Sequence, residues 1–193
     1  KRRLRNNNSK KNQKLEDCRE RQLNMKDQTL NKKIIVLGAT GYVGGRLVAR
    51  LLEEGFHVRA TGRSADKLKS RYWAQHAQVD LVSVDVHDPD SLRKALQGMD
   101  VAFYLVHSMN PQSRDFESAD RIAANNMVRI SHECGVKRII YLSGLGEDSD
   151  QLSKHLKSRH EVSEILRSGP VPVTVLRAAM IIGSGSASFE ILR

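Results

Sequence analysis

Residues 33–50 confine this 193-residue chain to a small set of folds. Ile34, Ile35, Val36 and Leu37 form a short apolar run rich in β-branched residues, the composition of a strand buried on both faces. Gly38, Gly41 and Gly44 follow at three-residue spacing, and Val43, Leu47, Val48, Leu51 and Leu52 then recur at helical spacing. Strand, glycine turn and helix in that order open a βαβ unit of the dinucleotide-binding kind. The glycines allow a tight turn, let backbone approach a pyrophosphate and bring helix against strand, while the first N–H groups of the helix face the anion. The spacing G-x-x-G-x-x-G departs from the commoner G-x-G-x-x-G, so its weight comes from the strand-to-helix context. Within the turn, Thr40, Tyr42 and Val43 join the three glycines as cofactor-binding candidates.

The remainder alternates in the same way. Gly55 closes the first helix, and His57–Thr61 reads as a second strand. A short helix is expected over 64–71 with Ser64 as N-cap, then a third strand over 79–84. Asp88-Pro89 starts a helix that Gly98 ends. A fourth strand over 101–106, a long helix over 114–133 stopped by Gly135, a fifth strand over 137–142, a helix over 150–167 and a sixth strand over 171–176 follow. Six strands alternating with helices imply an α/β fold: a doubly wound parallel sheet of order 3-2-1-4-5-6, with ligands outside the carboxyl ends of the strands.

A formal charge of +10 invites a nucleic-acid or membrane partner until the charges are located. Residues 1–33 hold 12 Lys and Arg against 4 Asp and Glu, whereas the remainder holds 20 against 18. The basic character belongs to the first 32 residues, which carry too few apolar side chains to offset their ordering and read as a disordered extension. Residues 33–193 read as one nucleotide-binding domain. Nucleic acid is therefore an expected partner only through the extension. No run of about 18 apolar residues is present, so no membrane partner is expected. Neither signal-peptide core nor zinc spacing marks the chain, and Cys18 and Cys134 form no close pair, so the default is the reducing cytoplasm with no metal.

Chemistry is expected where strands end. About 20 residues past the glycines, where a carboxylate would accept from a ribose 2′-hydroxyl, the sequence has Gly62-Arg63-Ser64, with Lys67 following. A guanidinium there grips a 2′-phosphate, which favours NADP over NAD while leaving NAD open. At the third strand, Asp85 and Val86 are placed to bond adenine, although Asp85 also suits a turn. The fourth strand ends Val106-His107-Ser108-Met109 beside the first, at the switch point, where polar groups meet the nicotinamide ribose. His107 reads either as a proton donor or as a neutral loop histidine.

The fifth strand runs into Tyr141-Leu-Ser-Gly144. Taken with Gly38-Ala-Thr-Gly-Tyr-Val-Gly44, Asp85-Val86, Tyr104-Leu-Val-His-Ser-Met109 and Val173-Thr-Val-Leu-Arg-Ala-Ala-Met-Ile-Ile-Gly183, it makes the sequence from about residue 33 resemble the atypical short-chain dehydrogenase/reductases, in their NmrA-like, NAD(P)H-binding branch. The resemblance implies a Rossmann-like domain followed by a smaller substrate region, of which this chain carries only the start. It also implies a serine near the fifth strand, matched by Ser143, and a Tyr-x-x-x-Lys pair on the next helix. Here the aligned positions hold His155 and Arg159. Four residues apart, they share a helix face. They act as proton shuttle and ribose holder, line the groove without chemistry, or, for His155, face solvent. Arg177 on the sixth strand is open between substrate contact and structural ion pair.

Three readings follow. One is an NADPH-dependent oxidoreductase on a small carbonyl or enone, with His155, Arg159 and Ser143 as catalytic candidates. Another is a non-catalytic NADP(H) sensor or regulatory module. The third makes the basic extension primary.

Overall fold

The computed structural model describes residues 31–107, 116–145 and 153–186. The chain divides into two units, Lys1–Lys32 and Lys33–Arg193, and every element described here belongs to the second. The expected basic extension over 1–30, Ser108 and Met109, and the helix starts over 114–115 and 150–152 lie outside the described residues, as does 187–193.

Alternating strand and helix segments become β1 (Lys33–Leu37), α1 (Tyr42–Glu53), β2 (His57–Gly62), α2 (Ala65–Lys69), β3 (Val79–Ser83), α3 (Pro89–Leu96), β4 (Val101–Tyr104), α4 (Phe116–Glu133), β5 (Arg138–Gly144), α5 (Lys154–Arg167) and β6 (Val173–Ala178). The strands are parallel in the order β3-β2-β1-β4-β5-β6, the order expected from the alternation. In register, Ile35 lies between Arg59 and Ala102, so β1 is central. Its Ile35, Val36 and Leu37 are fully buried, as a strand covered on both faces requires.

The two faces make two cores. Val48 and Leu52 of α1 and Leu68 of α2 pack with Ile34, Val36, Val58 and Ala60 on one side. On the other, Leu92 and Leu96 of α3, Met127 and Ile130 of α4 and Val162 and Leu166 of α5 pack with Ile35, Leu37, Tyr104, Ile139 and Tyr141. Gly55, Gly98 and Gly135 end helices with φ of 88°, 74° and 71°, the left-handed conformation that glycine adopts at a helix stop.

Strand limits differ from the sequence reading by residues with a physical cause. β4 stops at Tyr104 rather than Val106, because Leu105 N–H already bonds the last carbonyl of β1, at Leu37 (3.0 Å), and β1 then turns away at Gly38. β6 begins at Val173 rather than Val171. Pro172 has no N–H for the ladder, and its carbonyl instead accepts from Ile139 N–H at 3.0 Å. Cys134 is partly buried against the α3–α5 core, with burial raising its thiol pKa, in keeping with a structural thiol.

Candidate functional site

At the carboxyl ends of the strands, β1 leads into the glycine turn. Gly38 has φ of +95°, and a Cβ built on it would lie 3.0 Å from the Leu105 carbonyl oxygen, so both the turn and the neighbouring chain exclude a side chain. Gly41 N–H bonds the Gly38 carbonyl at 3.0 Å. At Gly44 a methyl would overlap the Gly38 carbonyl, so the helix approaches the strand only because residue 44 lacks one. α1 then starts with Gly41 as N-cap, no side-chain cap and no acid in its first turn. By contrast, Ser64, Asp88 and Ser153 cap α2, α3 and α5 through their side chains. The first-turn N–H groups of α1 are therefore left for an external acceptor, at the positive end of the helix dipole.

A cleft of about 590 Å³ opens over this turn. Among the expected cofactor residues, Gly38, Thr40, Gly41 and Arg63 line it on the β1–β2 side, and Val86, Val106 and His107 on the β3–β4 side. Leu37, Thr61, Gly62, Val84, Leu105, His87 and Ala119 also line it. Other expected residues sit elsewhere. Ser64 accepts the Lys67 N–H at 3.3 Å as the α2 cap, and Lys67 is exposed on that helix. Val43 is half-buried on α1, and Gly44 is buried behind the turn. Thr61 has its hydroxyl turned onto the Val36 carbonyl (3.1 Å), which ties β2 to β1.

The β3 end is tightly held. Asp85 Oδ1 accepts from the His87 N–H and lies 3.0 Å from His87 Nδ1, while Asp85 N–H donates to Ser91 Oγ at 3.2 Å. The bond from the His87 N–H is the chief cause of a carboxyl pKa below the usual carboxylate range. Asp85 is thus a turn-former, and its carboxylate remains half-exposed beside the cleft. From α4, Asn126 Nδ2 donates to the carbonyls of both Val86 (3.1 Å) and His87 (3.2 Å). Nothing in the spacing of the sequence marks Asn126, because its partners lie about 40 residues away.

The β4–β6 end is arranged differently. His107 lines the cleft, and desolvation first, then the Arg159 charge, hold its imidazole below the usual histidine range. Ser143 is buried and faces α5. It donates to the Arg159 carbonyl at 3.4 Å and accepts from Ser163 Oγ at 3.4 Å. Tyr141 reaches the same carbonyl at 3.5 Å, and burial pushes its phenol up to about 12. His155 is exposed, with its ring 5.2 Å from that of Phe116, and does not line the cleft. Arg159 is half-buried on α5. Among the described residues, the geometry thus brings only His107 of the polar groups at this end onto the cleft wall.

Comparison with known proteins agrees with this arrangement. The profile of the NmrA-like family matches residues 30–189. The chain belongs to the NmrA-like family. Cinnamoyl-CoA reductase 1 of Petunia hybrida is 28% identical over 117 residues, covering 58% of this chain and 35% of that protein. NADH dehydrogenase (ubiquinone) 1 alpha subcomplex subunit 9, mitochondrial, of Mus musculus is 29% identical over 151 residues, covering 77% and 40%. The chain spans well under half the length of these curated relatives. Among solved structures, the triphenylmethane reductase of Citrobacter sp. complexed with NADP(H) superposes with a TM-score of 0.63 at 21% identity, over 77% of this chain and 50% of that one. That likeness carries the fold.

In this NmrA-like domain, Tyr42 has a contact that the sequence does not suggest. Its hydroxyl lies against Gly183 in the loop after β6, where a methyl would overlap it. Arg46 stacks over the Tyr42 ring at 3.9 Å and donates to the Ser184 carbonyl at 2.8 Å. Tyr42 and Arg46 thereby clasp the β6 loop to α1. Arg177 is exposed on β6, in register with Ser143. Among the described residues, no group of three or more His, Cys, Asp or Glu is placed to hold a metal ion, and no helix is long and apolar enough to cross a membrane.

Proposed function

We propose that the cleft binds NADP(H) in preference to NAD(H), and that the protein is a reductase for a small carbonyl or enone substrate. The observation that carries the cofactor reading is the one uncapped helix start among the described caps, at α1, facing a cleft whose ribose side is lined by Arg63. The residues fit the group: glycines leave room for a pyrophosphate, and no carboxylate occupies the β2 end, where Gly62, Arg63 and Ser64 stand. Asp85 and Val86 would border adenine.

Bound there, a dihydronicotinamide supplies a hydride. His107, on the cleft wall, is the group we place at the substrate oxygen as proton donor. Loss of solvent and the Arg159 charge both lower its pKa, so the imidazole carries the proton it would donate on the acid side of the usual histidine range, where turnover is expected to be fastest. Arg159 and His155 stand behind it on α5 as charge neighbours, and Ser143 holds the α5 backbone through the Arg159 carbonyl. A second reading, a cofactor-binding module without turnover, draws support from the exposed position of His155 and the absence of a Tyr-x-x-x-Lys pair. The named subunit of NADH dehydrogenase among the relatives also favours it.

Titration with NADPH and NADH tests the cofactor reading. Arg63→Asp is expected to lose about 1.5–3 kcal/mol of NADPH affinity, or about 10- to 150-fold, and to favour NADH. Equal affinity for both cofactors before and after the change removes Arg63 from the site. Hydride transfer from NADPH to a panel of carbonyls and enones then separates reductase from module.

A further inference from the structure

Helical periodicity puts Asp120 on the core face of α4. The buried residues of that helix are Asp120, Ala123, Ala124, Met127, Ile130 and Ser131, one stripe turned inward. Facing it, α5 buries Ser158, Val162, Ser163 and Leu166. Met127, Ile130, Val162 and Leu166 belong to the apolar core between the two helices. Toward the carboxyl ends of the strands the contact turns polar: Ser158 Oγ donates to Asp120 Oδ2 at 2.9 Å, and both side chains are buried. Among the described residues, no other Asp, Glu, Lys, Arg or His is buried. Withdrawing a carboxylate from water is costly, so a core position that serves packing alone is filled at least as well by an apolar residue. The neighbouring Ala119 lines the cleft, which sets the Asp120 carboxylate behind its wall.

The charge of Asp120 reaches three groups on β4, β5 and the loop after β4. Two are the phenols of Tyr104 and Tyr141, whose ring centroids are 5.9 Å apart. Burial is the chief cause that raises both, and Asp120 adds to it, so they stay neutral. The third group is His107. There desolvation leads, Arg159 and His155 of α5 act in the same direction, and the Leu105 backbone and Asp120 oppose them. Asp120 is the one acid in that set. We propose that Asp120 is a positioning residue for His107: its carboxylate, held between α4 and α5 behind the cleft wall, is the counter-charge that lets the imidazole keep a transferable proton beside Arg159. The proposal rests on His107 being the proton donor of the reductase reading.

Imidazole titration followed by NMR in the full chain reads this link without any substrate. Asp120→Asn keeps an oxygen for the Ser158 hydroxyl and removes the charge, and is expected to lower the His107 midpoint by about one pH unit. Ser158→Ala loses the bond and keeps the charge; it is expected to lower the melting temperature but to move the midpoint by less than about 0.3 pH unit. An unmoved midpoint in the Asn variant, or equal movement in both, overturns the proposal and leaves Asp120 a packing contact. Should the Asn variant fail to fold, the unaltered protein decides: the Asp120 carboxyl carbon resonance steps at the pH where His107 titrates, and a flat trace there overturns the assignment. Turnover gives a second reading. With NADPH and a carbonyl or enone that the protein reduces, the Asn variant is expected to lose about 10-fold in kcat at pH 7 and to regain it at lower pH, with KM for NADPH within about twofold. A midpoint that moves while the pH–rate profile stays put overturns the positioning role. If the unaltered protein reduces none of the panel, the reductase reading falls, and the NMR midpoint still decides between counter-charge and packing contact.

Discussion

The two ends of the cleft are built by different means. At the β1–β3 end the cleft-facing groups are mostly backbone or the first residue beyond a strand, and their positions follow from chain geometry: Gly38 at φ +95°, Gly41 as N-cap, Arg63 directly after β2. At the β4–β6 end the expected groups are side chains on separate elements, placed by packing. Ser143 is drawn to the α5 backbone and His155 to the Phe116 ring, leaving His107 on the wall. A site made by local geometry tolerates change in its surroundings. One assembled from distant side chains depends on how each helix settles.

The largest effect that would sharpen this contrast is steric. Gly44→Ala places a methyl into the Gly38 carbonyl, against the Gly38–Ala39 backbone, and is expected to lower stability by about 3 kcal/mol or more and to abolish nucleotide binding. Gly135→Ala, at φ +71° with open space around it, should lose only about 1 kcal/mol. Denaturant melts compare them, and similar losses would mean that the turn has slack which the geometry denies.

On the other side of the comparison, His107→Gln is expected to lower turnover by about 10²-fold with NADPH affinity retained, whereas His155→Phe changes turnover less than about threefold. The reverse order would return the proton-transfer role to His155 and show that α5 shifts toward the cleft in the working protein.

Asn126→Ala tests whether the β3 end is as self-sufficient as its backbone suggests. Losing both bonds to the Val86 and His87 carbonyls should weaken 5′-AMP binding about fivefold and lower stability by about 1 kcal/mol. Unchanged binding would mean that the Asp85–His87 turn holds its shape alone.

The smallest expected effect is on pH dependence. Because the folded protein holds His107 below its usual 6.5, the unfolded chain binds the proton more readily, so stability rises with pH through that window. Stability should fall as pH drops from about 6.5 toward the depressed folded value, and His107→Gln should flatten that slope in melts between pH 5 and pH 7.

These differences also explain what the sequence revealed. The strand order and the helix stops at Gly55, Gly98 and Gly135 follow from periodicity and from glycine's access to positive φ, both local properties. So does the glycine turn after β1. Tyr42 belongs to the same motif by spacing, yet its ring meets Gly183 some 140 residues later, a contact that no local pattern encodes. Asn126 and Arg71 escaped the sequence reading for the same reason: each donates to a backbone carbonyl on another segment of the chain. Ser143 and His155 occupy positions that a family alignment nominates, but an alignment fixes a Cα position and not the direction of a side chain.

The missing cap on α1 has a thermodynamic consequence. With Gly41 as its cap residue, this helix start loses only about a few tenths of a kcal/mol relative to a side-chain-capped one, a deficit that an anion can offset and the bare protein cannot. A nucleotide binding there acts on the folding equilibrium by mass action, adding about 2.7 kcal/mol at a hundred times its dissociation constant. Resistance to proteolysis would then track the supply of the nucleotide, and the same gap that admits the ligand would make the molecule's lifetime a readout of its concentration.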